Sequence, residues 1–361
     1  MKLARHDLYR YSLPFSRPLT LGGSTHFHRE GLLLRLSGDD GSEGWGETAP
    51  LPGFSAESQG EAATQLRRHA ASMMGREVTD DWVDPYGGSG RDLDRVAPSV
   101  RFGLELAVWN LYAASSRRTL PELVTPSPRA VVPVNGLLAG SPTDVLADAR
   151  RMKGAGYRSV KLKVGTRTVA EDVALVRALG KELGEGISLR LDANRAWGYE
   201  EAADFAGGTA GVRFEYVEEP LADPARLPEL VREFGVPVAL DESLVGMEPV
   251  ALEKHRYARA FVLKPTLLGG VSRTLRMAEW ALRLGVTLVI SSAYESGVGT
   301  AALVALAAGI GDRLVPAGLD PYRTIAEDVL ETPLNLPAPA VGVRETDDAS
   351  RIIDVRRLER L

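Results

Sequence analysis

Cysteine is absent from the 361 residues, which excludes disulfides, thiolate metal sites and thiol nucleophiles. That absence fits a reducing compartment. Aromatic residues are few, at 6%, and histidine occurs only five times. No uninterrupted apolar run approaches the roughly 18 residues of a membrane span. The N-terminal stretch MKLARHDLYRYSLPF is broken by charges and lacks the apolar core of a signal peptide. Positive charge is not in excess either: the net charge of −5 offers no general attraction for nucleic acid or anionic membranes. What remains is the composition of a globular protein, 44% hydrophobic and 25% charged, and the expectation is a soluble, cytoplasmic chain. Its length exceeds one average domain and suits a large barrel with a smaller companion.

Two regions differ in rhythm. In the first, GLLLRLSGDDGSEGWGET reads as a hairpin with strands at Gly31–Ser37 and Glu43–Thr48 around GDDG. Helices are expected near Ala56–Met74 and Pro98–Ser115, the second with Val100, Leu104, Ala107, Val108 and Leu111 on one buried face. TPSPRA reads as a linker. From Val131 short apolar runs recur: VVPVNGLL, SVKLKVG, ISLRLDAN, FEYVEEP, VPVALDES, AFVLKP, TLVISSA and RLVPAGL. Helix-like stretches separate most of them, including Thr143–Gly154, Val169–Leu183 and the short Thr300–Ile310. Eight strands alternating with helices indicate a parallel β/α barrel. After Asp320 the rhythm stops, and PLNLPAPAVGVRETDD reads as extended chain rather than another helix. The expected division is residues 1–125, residues 130–320 as the barrel, and 321–361 returning to the N-terminal domain.

One strand after another ends in a charge. Lys163, Asp192, Glu218, Asp241 and Lys264 close KLKVG, RLDAN, YVEEP, ALDES and VLKPT, at intervals of 23 to 29 residues, about one strand plus one helix. Ionised groups ending apolar strands are costly to bury, so the series needs a common reason. Strand alternation puts Lys161 with Lys163, and Asp192 with Asn194, on one face. The C-terminal ends of barrel strands are where active sites assemble. Asp192, Glu218 and Asp241 come from consecutive strands and suit one hard cation such as Mg²⁺; no histidine lies in these motifs, which disfavours zinc. Alternation turns only one of Glu218 and Glu219 inward, and the pattern does not choose between them. Lys163 and Lys264 should face each other across the metal. A lysine acts as a base only when neutral, and Lys161 and the metal are both cations able to lower its pKa. The implied chemistry is abstraction of a proton beside a metal-bound carboxylate, with the enolate-type charge stabilised electrostatically. Any one of these motifs alone would more often be a strand-end turn or helix cap; five in order, at barrel spacing, point to a shared site.

These motifs resemble the enolase superfamily, in its muconate-lactonising-enzyme-like subgroup, and within it the o-succinylbenzoate synthase family of menaquinone biosynthesis. The resemblance runs through GWGETAPLPGFS, KLKVG, RLDANRAW, EEPL, LDES, LKPTLLGG, SSAYESGVG and GLDPYRTIAEDVL, nearly the whole chain. It implies a (β/α)₇β barrel with an α+β capping domain built from the N-terminal region and the C-terminal tail. It implies Asp192, Glu218 and Asp241 as Mg²⁺ ligands, the first Glu of EEP being the family's ligand. Lys163 becomes the acid/base and Lys264 the opposing cation, with Lys161 beside them. Capping loops near Leu19–His26 and Ala49–Ser55 would shape specificity. The implied reaction is syn elimination of water from 2-succinyl-6-hydroxy-2,4-cyclohexadiene-1-carboxylate, a carbon–oxygen lyase activity proceeding through an enediolate.

Ser292, Gly318, Thr20 and His26 are the expected substrate contacts, Ser292 and the Gly318 N–H toward the succinyl carboxylate. Turn hydrogen bonding at Ser292 and a Gly-only bend at 318 are the plainer alternatives. His26 and His28 form an HxH pair without a third ligand nearby, while Trp45 and Trp197 read as packing residues. Arg190, two residues before Asp192, would pair with the carboxylates or sit in the barrel core. The rival reading on the same scaffold is an N-succinylamino acid racemase or dipeptide epimerase, in which both lysines move protons. AGLDPYR supplies Asp320 but no Asp-x-Asp, against the epimerase. A third reading, a catalytically silent barrel, is opposed by retention of all three carboxylates and both lysines. The expected partner is a small-molecule carboxylate, with no nucleic acid and no membrane; a homo-oligomer is left open.

Overall fold

A computed structural model of the chain describes residues 1–21, 23–87, 93, 95–310, 315–336 and 338–361. Gly22 of the first capping loop, Arg313 and Leu314 of the eighth apolar run, and Pro337 of the C-terminal run lie outside the described residues.

The N-terminal part is a sheet under two helices. Strands β1 (Leu3–Leu21) and β2 (Ser24–Gly38) form a long antiparallel hairpin, extended by β3 (Glu43–Thr48). The expected short hairpin is therefore the β2–β3 pair, with β2 starting seven residues earlier, at Ser24. Helices α1 (Gln59–Met73), α2 (Pro98–Ser115) and α3 (Leu120–Val124) follow. Serine and threonine start two of them with reciprocal capping boxes, Ser58 with Glu61 and Thr119 with Glu122, which satisfy N-terminal N–H groups. Both faces of the sheet are buried, so LLLRL does not alternate. Leu32, Leu34 and Leu36 meet Leu66, Leu104 and Ala107 of the helices, while Leu33 joins Tyr9, Tyr11 and Leu13 toward the barrel. The glycines of GWGET let α2 lie directly on β3: a Cβ at Gly46 would stand 2.0 Å from the Gly103 carbonyl oxygen.

After the linker, β4 (Val131–Pro133) leads into seven parallel strands: β5 (Gly136–Leu138), β6 (Ser159–Lys163), β7 (Ser188–Asp192), β8 (Tyr216–Glu218), β9 (Val238–Leu240), β10 (Ala260–Leu263) and β11 (Thr287–Ile290). They neighbour each other in chain order. Among its described residues the eighth run contributes bridges: Ala317 pairs with Val134 and Gly318 with Ser291, joining the two edges of the sheet. Around the sheet lie α4 (Pro142–Gly154), α5 (Val169–Leu183), α6 (Tyr199–Gly208), α7 (Leu227–Phe234), α8 (Pro265–Leu268), α9 (Val271–Leu284) and α10 (Gly297–Gly309). A 3-10 stretch, Pro249–His255, connects β9 to β10 in place of an α-helix. None of the described helices is long and apolar enough to cross a membrane.

The C-terminal run corrects one expectation. Ala340–Gly342 is extended (β12, antiparallel to β4), but Val343–Ser350 is a helix, α11. It lacks an apolar stripe, and polar bonds hold it instead. Asp347 receives the Leu120 N–H at 3.2 Å and the Arg351 guanidinium at 2.6 Å, four residues on. β12 and α11 lie against β4, α10 and α3; the tail meets β1 twice, where Ile325 bridges Phe15 and the Ala326 N–H donates to the Pro14 carbonyl, and again at the final strand, β13 (Glu359–Arg360).

Candidate active site

Barrel register lines up the strand-end charges. Lys163 pairs with Asp192 and Asp192 with Glu218 across three adjacent strands, so their side chains share the inner face and one level. Asp241 follows β9 and Lys264 follows β10. One level below, Lys161, Arg190 and Tyr216 form a second row.

The three carboxylates are buried, and ammonium groups span them. Lys161 Nζ lies 2.7 Å from Asp192 Oδ2 and 2.8 Å from Glu218 Oε1, and Lys264 Nζ donates to Asp241 Oδ2. Burial disfavours both ammoniums, yet the carboxylates outweigh it. Asp192 and Glu218 hold Lys161 well above the ordinary lysine range, and Asp241 does the same for Lys264. Of the three lysines Lys163 alone is exposed, and it forms no ion pair with the described residues.

Glu218, not Glu219, points into this cluster. Burial, then repulsion from Asp192, pushes its carboxyl well up, while Asp192 is pulled down by Lys161 against its own burial. Glu219 turns away, with φ of +40°, and its Oε1 accepts the N–H groups of Asp241 (2.9 Å) and Ser243 (2.7 Å). Its Oε2 accepts Ser243 Oγ and Arg195 Nε. It anchors the turn that carries Asp241.

Could these residues hold a cation? Among the described residues no three His, Cys, Asp or Glu side chains stand in a ready-made metal cage. The donor chemistry nevertheless fits. Three oxygen-only carboxylates from consecutive strands are buried together at the C-terminal end of the barrel, and Asp192 and Asp241 both repel the Glu218 charge. A hard divalent cation matches that set, and a thiolate or imidazole metal does not.

The expected substrate contacts fare differently. Ser292 is buried in its own turn, with Oγ donating to Glu295 Oε2 and accepting the Tyr294 N–H. The Gly318 N–H was expected to be available to a ligand, but it donates to the Ile290 carbonyl at 2.8 Å, closing the barrel. Glycine is required there by close approach, since a Cβ would lie 2.5 Å from Ser291 Oγ. Thr20 is exposed opposite Thr25 in the β1–β2 hairpin. His26 and His28 line a cavity of about 390 Å³ within the N-terminal part, to which no barrel residue contributes. The same hairpin does reach the catalytic end through Leu21, which packs with Leu51, Leu267 and Ala293.

Arg190 is a core residue: it bonds Glu215, Asn135 Oδ1 and the Pro316 carbonyl and lies over the Tyr216 ring. Trp45 and Trp197 pack against Tyr9 and Phe205. Asp320 Oδ2 accepts the Leu137 N–H and pairs with Arg323.

Two residues that hold the site, Glu47 and Glu105, escaped the sequence reading, whereas Glu295 stood out beside Ser291 and Ser292 at the end of the seventh apolar run. Glu47 of GWGET is fully buried and accepts the N–H groups of Ser296 and Gly299 at the start of α10, joining the cap to the barrel. Glu295 accepts Thr266 Oγ1, two residues after Lys264, and so braces that strand end. Glu105 of α2 accepts the Ser272 N–H at the head of α9. The signal was available in each case as an acidic residue inside an apolar or small-residue stretch.

With this geometry described, known proteins supply the context. Residues 144–346 match the family model described as enolase C-terminal domain-like, and residues 3–111 match the MenC N-terminal domain. The o-succinylbenzoate synthase of Haemophilus influenzae is 31% identical over 96% of this chain and 98% of its own. The chain belongs to the o-succinylbenzoate synthase family of the enolase superfamily. The chloroplastic protein PHYLLO of Arabidopsis thaliana is 32% identical over 92% of this chain, which spans only 22% of PHYLLO's length. Among solved structures, muconate lactonizing enzyme of Pseudomonas fluorescens, complexed with muconolactone, superposes with a TM-score of 0.84 at 26% identity, covering 99% of this chain and 98% of that one. A dipeptide epimerase from Enterococcus faecalis, complexed with Mg and the dipeptide L-Leu-L-Tyr, gives 0.85 at 21% identity over 95% and 97%. These neighbours share the family's fold, a β/α barrel with an N-terminal capping domain.

Proposed function

We propose that the protein is an o-succinylbenzoate synthase, a hydro-lyase converting 2-succinyl-6-hydroxy-2,4-cyclohexadiene-1-carboxylate to 2-succinylbenzoate. Family membership over nearly the full chain supports the reaction class. The observation that carries the assignment of roles is the row Lys163–Asp192–Glu218, in which the one exposed lysine stands at the same level as the buried carboxylates.

Asp192, Glu218 and Asp241 would hold Mg²⁺. Bound there, the ion supplies electrostatic stabilisation for negative charge developing on the substrate carboxylate. Lys163, exposed to the site and not tied by a carboxylate, removes the α-proton. As an ammonium it then returns a proton to the departing hydroxyl on the same face, and aromatisation drives that second step. Lys264, held cationic, faces the developing enediolate charge without needing to transfer a proton. Lys161 adds positive charge beneath Asp192 and Glu218. Two-base racemisation would require Lys264 to give up its proton, and its bond to Asp241 opposes that. The substrate is a small carboxylate, and the proposed setting is the cytoplasm.

The test is direct. Purified protein with Mg²⁺ and the cyclohexadiene should form the aromatic product. No turnover, together with rapid racemisation of an N-succinylamino acid, would replace this reading with the isomerase.

A further inference from the structure

Arg29 is 2% exposed, and its five hydrogen bonds all end on main-chain carbonyls: Glu30, Ala49, Pro50, Ala293 and Tyr294. Those carbonyls belong to three segments: β2 itself, the Ala49–Ser55 capping loop, and the turn after β11. Only a planar fork with five donors can tie three segments at once; an ammonium concentrates its donors at one point. Burying a cation is costly, so this guanidinium needs a return beyond packing.

Tyr294, on the far side of the knot, has φ of +63°. A bulky aromatic residue rarely adopts the left-handed region and stays there only where its surroundings over-determine it. Here the Arg29 Nε bond fixes its carbonyl at 2.8 Å and Ser292 Oγ fixes its N–H at 2.9 Å. The ring thereby joins the cluster of Leu19, Leu21, Leu51 and Leu267, edge-on to Phe15 at 6.3 Å. The phenol is pushed up by burial, while Lys264 and Lys161 act in the opposite sense, which puts it within the field of the catalytic charges.

We infer that Arg29 is a positioning residue for the reaction, and that the Tyr294 ring it holds is a specificity-determining wall between the capping loops and the strand-end charges. The inference rests on the proposed synthase reading. Loosening the knot should therefore weaken substrate binding while leaving proton transfer at Lys163 largely intact.

Two variants test it, Arg29→Lys and Tyr294→Gly, with steady-state kinetics and calorimetric titration of the product 2-succinylbenzoate. Both should raise KM about tenfold and weaken product binding in parallel, with kcat within about threefold of wild type. Tyr294→Gly relieves the strain of this φ but removes the ring's packing on Leu21, Leu51 and Leu267, so it should fold and melt somewhat below wild type. That variant also keeps the test alive should Arg29→Lys fold poorly. Wild-type KM and product affinity in the folded variants would overturn the inference. Wild-type protein that neither turns over the cyclohexadiene nor binds the product would overturn the synthase reading instead.

Discussion

Removing the Glu219 carboxylate tests how the turn carrying Asp241 is held. In Glu219→Ala the N–H groups of Asp241 and Ser243 lose the oxygen that accepts them at 2.9 and 2.7 Å. At roughly 1–3 kcal/mol for each donor left unpaired, the cost is about 2–6 kcal/mol. Arg195 adds little, because at 34% exposure it can turn to water. Glu219→Gln keeps one oxygen for the two N–H groups but presents an amide donor to Arg195, so its cost should be about 1–2 kcal/mol. A main-chain displacement of about 1 Å at Asp241 would lower the rate on the order of 100-fold. Urea unfolding reads the stability, and calorimetric titration of Mg²⁺ without substrate reads the site. The alanine variant should lose both stability and Mg²⁺ affinity, with glutamine intermediate. Wild-type unfolding and wild-type Mg²⁺ affinity in Glu219→Ala would refute the reasoning.

Other consequences are equally open to measurement. Lys163→Ala should abolish elimination, by at least about 1,000-fold, while Mg²⁺ titration stays as in wild type; an active variant would show that the base is another group. Asp7 is buried among Arg5, Arg35 and Arg360, and although burial opposes its charge, Arg5 and Arg35 depress its carboxyl below the usual value. A depressed carboxyl contributes stability that is fully present above the unfolded value of about 3.9 and is lost as pH falls through the folded value. Asp7→Asn should therefore unfold more easily than wild type at neutral pH, with the difference closing below about pH 4, as followed by circular dichroism. Gly46→Ala would drive a methyl into the Gly103 carbonyl at 2.0 Å and should destabilise the cap by about 1–3 kcal/mol or more, seen as a lower melting temperature.

The barrel and its charges were legible because two signals coincided: an alternation of strands with helices, and a charge at the same end of each strand. Both are local in sequence. Glu218 against Glu219 was not legible, because the choice depends on a left-handed backbone at Glu219 that turns its side chain toward Asp241 and Ser243. The helix Val343–Ser350 escaped for a related reason: its support comes from Asp347 meeting Leu120, more than 200 residues away, and not from an apolar stripe. Gly318 stayed open between a ligand-facing N–H and a glycine-only bend, because the barrel closes through that residue, which only the pairing of non-adjacent strands reveals. Arg29 had a faint signature, a lone cation at an inward position of β2, but its partners are carbonyls, which leave no mark in a sequence.

The most direct measurement follows the ultraviolet spectrum of 2-succinyl-6-hydroxy-2,4-cyclohexadiene-1-carboxylate on addition of the purified protein and Mg²⁺. Loss of the diene with appearance of 2-succinylbenzoate, abolished by chelation and by Lys163→Ala, is the expected result. An unchanged diene beside rapid deuterium exchange into an N-succinylamino acid would contradict it.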